Sequence, residues 1–149
     1  MSIHSYSVCY MHIVFSTYNH QPVLQKDLRK QLSKYLLNYS KSKNIYHKIN
    51  FVNPEHVHIL INLPPVMSVD EAVQLLKGSS SYWINKNKLF GDDKFYWQRG
   101  YGCLSVSYSD IDRICRYISN QEAHHKKTSF NEEYDKMMKL YALTAAQMG

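Results

Sequence analysis

The apolar positions of this chain change period several times, and each change marks an element. Ser7 to Thr17 is dense in Val, Tyr, Ile and Phe, the composition of a strand, and Asn19-His20-Gln21-Pro22 breaks it. From Leu24 to Lys43, leucines fall at 28, 32, 36 and 37 with lysines and Arg29 on the other face, a helical period. Ile45 to Val52 predicts a second strand, Asn53-Pro54-Glu55 a turn and His56 to Leu63 a third strand, so these two form a hairpin. Pro64-Pro65 ends it, and Ser68-Val69-Asp70-Glu71 matches a capping box. A helix to about Lys88 follows, although Gly78 and the serines at 79, 80 and 81 weaken its middle. Phe90 to Gly102 reads as an irregular loop carrying aromatics, and Cys103 to Tyr108 alternates like a fourth strand. Ser109 caps a helix whose Ile111, Ile114, Cys115 and Ile118 form an apolar stripe, and a last helix covers Asn131 to Leu143.

That order is βαββαβ followed by helices. It predicts an α+β chain of the ferredoxin-like class: an antiparallel sheet, helices on one face, and extra C-terminal helices. The other sheet face is then free for nucleic acid or a metal site. The 149 residues contain no internal repeat, low-complexity tract or linker, so residues 1–149 read as a single domain. Fold class alone selects no activity.

Composition narrows the setting. An apolar share of 44% is enough for a core, yet no apolar run approaches the ~18 residues of a membrane span. Met1-Ser2-Ile3-His4-Ser5 lacks a basic-then-apolar leader. Cys9, Cys103 and Cys115 are odd in number with no CxxC, which predicts a reducing, cytoplasmic compartment and no zinc ribbon. A net charge of +6 favours an anionic partner, weakly. Thirteen tyrosines are many for this length, but strands and interfaces absorb most of them before base stacking is needed.

Candidate chemistry lies in two segments. In Glu55-His56-Val57-His58-Ile59-Leu60-Ile61, strand alternation sends His56 and His58 to one face and Val57, Ile59 and Ile61 to the core. About sixty residues on, Tyr117-Ile118-Ser119-Asn120-Gln121 places a phenol and an amide four apart on one helix face. Two imidazoles and an amide oxygen can hold a divalent cation, and a phenol beside it can attack a phosphate. Taken singly, each residue also has an ordinary explanation: a strand histidine with a polar partner, a tyrosine at a helix border with its hydroxyl in water. Spacing leaves both explanations open, and it does not bring the helix to the strand.

The same residues carry a resemblance. His56-Val57-His58 fits the histidine–hydrophobic–histidine signature, and the chain resembles the small single-tyrosine HUH transposases of minimal insertion sequences and repeat-associated genes. Phe15-Ser16-Thr17 before Gln21-Pro22-Val23-Leu24 is similar to the family's first strand and its exit. Leu76-Lys77-Gly78-Ser79-Ser80 is similar to its middle helix. Trp97-Gln98-Arg99-Gly100-Tyr101-Gly102 and Ser105-Val106-Ser107 resemble the segment leading to the catalytic helix, and Tyr117 to Gln121 with His124-His125 resembles that helix. The matches run in order over nearly the whole chain.

The resemblance implies Tyr117 as nucleophile and His56, His58 and Gln121 as ligands of Mg²⁺ or Mn²⁺. It implies a single-stranded DNA substrate read through imperfect hairpins near element ends. It also implies a homodimer whose tyrosine helix can serve the partner's histidines. The product would be a 5′-phosphotyrosine, with nucleoid association when DNA is bound. Because that linkage keeps the bond energy, no nucleotide cofactor is needed, in line with the lack of a GxxxxGK[ST] segment.

Lys77, Arg99, Arg113, Lys126 and Lys127 are candidate phosphate contacts, with solvated charge the equal alternative for each. Trp97 and Tyr101 are candidates for stacking on unpaired bases or for holding their loop. His124 and His125 either assist the site or end the helix favourably. Rival readings are a hairpin-binding descendant without cleavage, a replication initiator or relaxase of the wider HUH group, and a two-histidine phosphoesterase. Four intact site residues weigh against the first, the chain's length against the second, and the lack of His-x-Ser or His-x-Thr pairs against the third.

Overall fold

A computed structural model describes residues 6–122 and 130–140. The elements are β1 (Tyr10–Ser16), α1 (Lys26–Ser42), β2 (Tyr46–Val52), β3 (His56–Asn62), α2 (Val69–Lys86), β4 (Gly102–Val106), α3 (Ile111–Ser119) and α4 (Phe130–Leu140). They divide between two compact units, Met1–Ser119 and Asn120–Gly149. The first holds the sheet with α1, α2 and α3, and the second holds α4. Of the last helix expected from the sequence, 141–143 lie outside the described residues, as do His124, His125, Lys126 and Lys127. Among the described residues, no helix is long and apolar enough to cross a membrane.

The strands pair antiparallel in the order β2-β3-β1-β4, the ferredoxin-like α+β arrangement. β1 and β3 are the central strands. Their register sets Val14 opposite His58 and Ser16 opposite His56. The alternate positions Ile13, Phe15, Val57, Ile59 and Ile61 face the other way and are buried against Leu28, Leu32 and Leu36 of α1 and Ala72, Val73, Leu76 and Ile84 of α2. The four-residue leucine spacing makes one apolar stripe on α1, as expected. Each fully buried Leu or Ile contributes about 1.5–3 kcal/mol. That core anchors strands whose opposite face carries buried polar side chains.

α2 runs unbroken through Gly78 and its serines. The Ser68 hydroxyl accepts the Glu71 amide at 3.0 Å, so the capping box forms. Ser80 and Ser81 return their hydroxyl protons to the carbonyls of Leu76 (2.6 Å) and Lys77 (3.0 Å) one turn back. Their small size also lets the following loop come close. Trp97 donates its indole N–H to Ser80 Oγ at 3.0 Å and packs edge-on against Phe15 and Phe95 at 4.7 and 4.8 Å. The aromatic loop is therefore less irregular than expected. Gln98 donates its amide to Ser16 O and Tyr18 donates its amide to Tyr96 O, extending the edge of β1, and Asn85 holds both backbone groups of Phe95.

Two features depart from the sequence reading. β2 carries a register shift between His47 and Ile49. The extra residue turns Ile49 and Phe51 to the histidine face, while His47 and Asn50 point to α1. The second departure concerns the face left open by α1 and α2. It is not bare: α3 packs there against β2 and β3, with Ile111, Ile114 and Ile118 buried beneath it.

Candidate active site

His56 and His58 are fully buried on the α3 side of the sheet. Strand alternation puts both rings on that side, and the antiparallel register brings in a third. His12 of β1 lies two residues from Val14 on the same face and is also fully buried. A continuous chain of contacts results. His12 Nε2 lies 2.8 Å from His58 Nδ1. His58 Nε2 lies 3.1 Å from His56 Nε2. His56 Nδ1 lies 2.7 Å from Glu55 Oε1. Asn53 Nδ2 approaches His56 Nε2 at 3.1 Å.

Proton positions follow from the partners at the Glu55 end. A carboxylate only accepts, so His56 Nδ1 carries the proton and its Nε2 presents a lone pair. Without an ion that lone pair is the acceptor facing both the Asn53 amide and His58 Nε2; a cation would take their place. His56 and His58 thus bring their two Nε2 atoms together while Glu55 and His12 occupy the outer nitrogens. Metal-binding histidines are held in this manner, the far ring nitrogen tied to a carboxylate or another acceptor. The spacing also fits an ion. At a metal–nitrogen length of about 2.1 Å, atoms 3.1 Å apart subtend about 95° at the metal, between octahedral and tetrahedral values. The residues present therefore suit a divalent cation.

Tyr117 projects from α3 to this group. Its ring meets His58 edge-on at 5.7 Å and 84°, and His12 at 6.2 Å and 67°. Ile111, Ile114 and Ile118 are the buried stripe that aims it. The structure thus brings Tyr117 beside His58 and His12 within a single unit. Gln121, the expected third ligand, belongs to the second unit.

Sequence reasoning missed His12 and gave Glu55 no role. Period-two alternation in Tyr10–Ser16 was a signal that His12 shares a face with Ser16, but only the register shows His12 adjacent to His58. The proposed DNA contacts are spread out. Lys77 donates to the carbonyls of Gln98 (2.7 Å) and Gly100 (2.8 Å), tying the aromatic loop to α2, and burial lowers its pKa. Arg99 is exposed, and Arg113 is exposed on α3 with its guanidinium 3.6 Å from Asp110. Trp97 is committed to packing, while the half-exposed Tyr101 donates its hydroxyl to Asp70 at 3.3 Å.

With these features in place, comparison with known proteins is decisive. A sequence model described as "Transposase IS200 like" matches residues 5–121. The chain belongs to the IS200-like transposase family. It is 30% identical over 119 residues to the transposase for insertion sequence element IS200 of Salmonella typhimurium, covering 76% of each chain. It is 34% identical over 76 residues to the ISDra2 transposase TnpA of Deinococcus radiodurans, 47% of this chain and 53% of that one. Among solved structures, a putative transposase from Deinococcus radiodurans superposes with a TM-score of 0.63 at 22% identity, covering 81% of this chain and 96% of the other. The REP associated tyrosine transposase bound to a REP hairpin superposes with a TM-score of 0.61 at 15% identity, covering 84% and 74%. These structures share the transposase's fold.

Proposed function

We propose that this transposase cuts and rejoins single-stranded DNA at hairpin-bearing element ends, with Tyr117 as nucleophile, and that residues 1–149 act as one such domain. The observation that carries the reading is the Tyr117 ring 5.7 Å from the paired His58 within one chain. A phenol with an ordinary pKa near 10 is a poor nucleophile at neutral pH and needs an electrophile already polarised. His56 and His58 would hold Mg²⁺ or Mn²⁺, with Gln121 as third ligand. The bound ion would supply Lewis-acid stabilisation of charge on the phosphate oxygens. Three neutral ligands leave its full charge available for that.

Tyr117 contributes the bond-making oxygen. Its Oη joins phosphorus while the bond to the 3′ oxygen breaks. The phenolic proton leaves, and the departing 3′ oxygen takes one up. The result is a 5′-phosphotyrosine and a free 3′-hydroxyl, and the reverse attack reseals DNA without a nucleotide cofactor. α3 restrains the phenol, and the sheet restrains the histidines, so proximity costs little at the moment of reaction. The buried rings also exclude water from the site.

The hairpin substrate is argued from the REP hairpin that the structural neighbour holds. Lys77, Arg99 and Arg113 would contribute phosphate contacts, Lys77 with only the donor capacity its two carbonyls leave. The protein would work in the cytoplasm as a homodimer, and the short Tyr117–His58 distance favours use of a chain's own histidines.

The test mixes protein, Mn²⁺ and labelled single-stranded DNA from both flanks of its gene, resolved on a denaturing gel. The expected result is a protein-linked band that requires metal and disappears in Tyr117→Phe and His56→Ala. Hairpin binding with metal bound but no adduct would sink the cleavage reading and leave a DNA-binding protein.

A further inference from the structure

We propose that Tyr18 and Tyr96 form a stacking platform for an unpaired base of single-stranded DNA, on the sheet face that carries His56 and His58. The inference rests on the single-strand reading above and adds a binding site to it. The backbone places the two rings. Just past β1, Thr17 bridges Trp97 antiparallel. Two hydrogen bonds flank that bridge: Gln98 donates its amide to Ser16 O at 2.8 Å, and Tyr18 donates its amide to Tyr96 O at 3.1 Å. Ser16 therefore lies opposite Gln98 and Tyr18 opposite Tyr96, and residues directly opposite share a face. Phe15 and Trp97 pack edge-on on the core side. Alternation then sends Ser16, Tyr18 and Tyr96 to the other side, where Ser16 sits opposite His56. The tyrosines stand one alternation beyond that level, about 7 Å along the strand.

The surface opens at that step. Ser16 is 6% exposed, whereas Tyr18 and Tyr96 are 58% and 54% exposed. Lys94 holds its ammonium 5.4 Å from the centroid of the Tyr96 ring, and Arg99 is exposed next to Gln98. Both cations suit the phosphate that accompanies a stacked base. Asp92 and Asp93 precede Lys94, so charge alone does not make this corner a phosphate track, and recognition falls to the rings. The platform is also preformed. Asn19 and His20 follow Tyr18 with φ of 55° and 53°, the left-handed region that non-glycine residues seldom enter. Backbone bonds from His20 N to Thr17 O (2.9 Å) and Gln21 N to Tyr18 O (3.3 Å) close the turn, and Asn19 N donates to Gln98 Oε1 at 2.8 Å. A strained turn so pinned keeps Tyr18 beside Tyr96, and a base meets a surface already in place. The occupant is an unpaired base because every base has a π-face to offer, and a duplex covers those faces with its own neighbours.

The test measures binding of a fluorescein-labelled oligothymidylate, a strand that forms no hairpin, by fluorescence anisotropy. Wild type is compared with Tyr18→Ala, Tyr96→Ala, Tyr18→Trp and Tyr96→Trp, each confirmed as folded by its thermal unfolding midpoint. The expected result is affinity weakened about 5–150-fold in each alanine variant and kept within a few-fold of wild type in each tryptophan variant. Unchanged affinity in both alanine variants would overturn the platform; the cleavage reading would still stand if wild type forms its metal-dependent adduct on Tyr117. Equal weakening by alanine and tryptophan would also overturn it, since a ring face would then not be what the DNA meets. Failure of wild type to bind oligothymidylate would overturn it as well. The expected pattern without any Tyr117 adduct would uphold the platform and sink cleavage alone.

Discussion

Acidification should destabilise this protein through one histidine on the sheet face opposite the His56–His58 pair. His47 is buried where β2 meets α1, and both its nitrogens are engaged. Ser40 spends its hydroxyl proton on Leu36 O at 2.8 Å, so Ser40 Oγ accepts from His47 Nδ1 at 2.9 Å. Asn50 donates from Nδ2 to His47 Nε2 at 2.9 Å, and its amide is locked by Ser33 Oγ on Oδ1 at 2.7 Å. The neutral ring is fully satisfied, and a second proton on Nε2 would face an N–H. Burial lowers the His47 pKa to about 4 from an ordinary 6.5. Between those values the unfolded chain binds a proton that the native state refuses, so stability falls as pH drops through this window. At 1.36 kcal/mol per pKa unit, the loss by pH 4 is about 3 kcal/mol. Urea denaturation of wild type and His47→Gln from pH 7.5 to 4 isolates this proton from the other titrating groups. The stability gap between the two proteins should shrink by about 3 kcal/mol across the range. Parallel pH profiles would refute the argument.

Two further predictions concern the aromatic loop. Lys77→Met removes charged hydrogen bonds to Gln98 O and Gly100 O and should cost about 2 kcal/mol in urea denaturation; an unchanged midpoint would mean that the lysine's work lies elsewhere. Trp97→Phe keeps the ring contacts but loses the bond to Ser80, so stability should fall by about 1 kcal/mol with hairpin DNA affinity unchanged. Weakened DNA binding at full stability would instead make Trp97 a stacking platform.

The legible part of the fold was its periodicity. Leucines every four residues, a capping box at Ser68 and alternation around His56 gave the elements and their order, because local spacing governs which face meets the core. The His56–His58 pair was legible for the same reason. Long-range register was not. His12 looked like one polar residue in an apolar strand until β1 was paired with β3, and the bulge beside Lys48 leaves no mark in a run of mixed residues. Trp97 showed the opposite difficulty: an indole in this loop suits a structural role at least as well as a base platform, and the bond to Ser80 with the packing on Phe15 and Phe95 decides for the core. That α3 covers the second sheet face was likewise decided by tertiary packing, since an isolated nine-residue helix has no preference of its own.

The histidines ride on β1 and β3, the two strands hydrogen-bonded on both sides, whereas Tyr117 rides on a helix too short to persist alone. Amide exchange should therefore reach α3 long before the central strands. On the proposed mechanism an off state needs no damage to the histidines: melting two turns of helix would carry Tyr117 away and leave them in place. On that same mechanism, a small molecule that competes for the isoleucine stripe of α3 would act as a switch without touching the histidines.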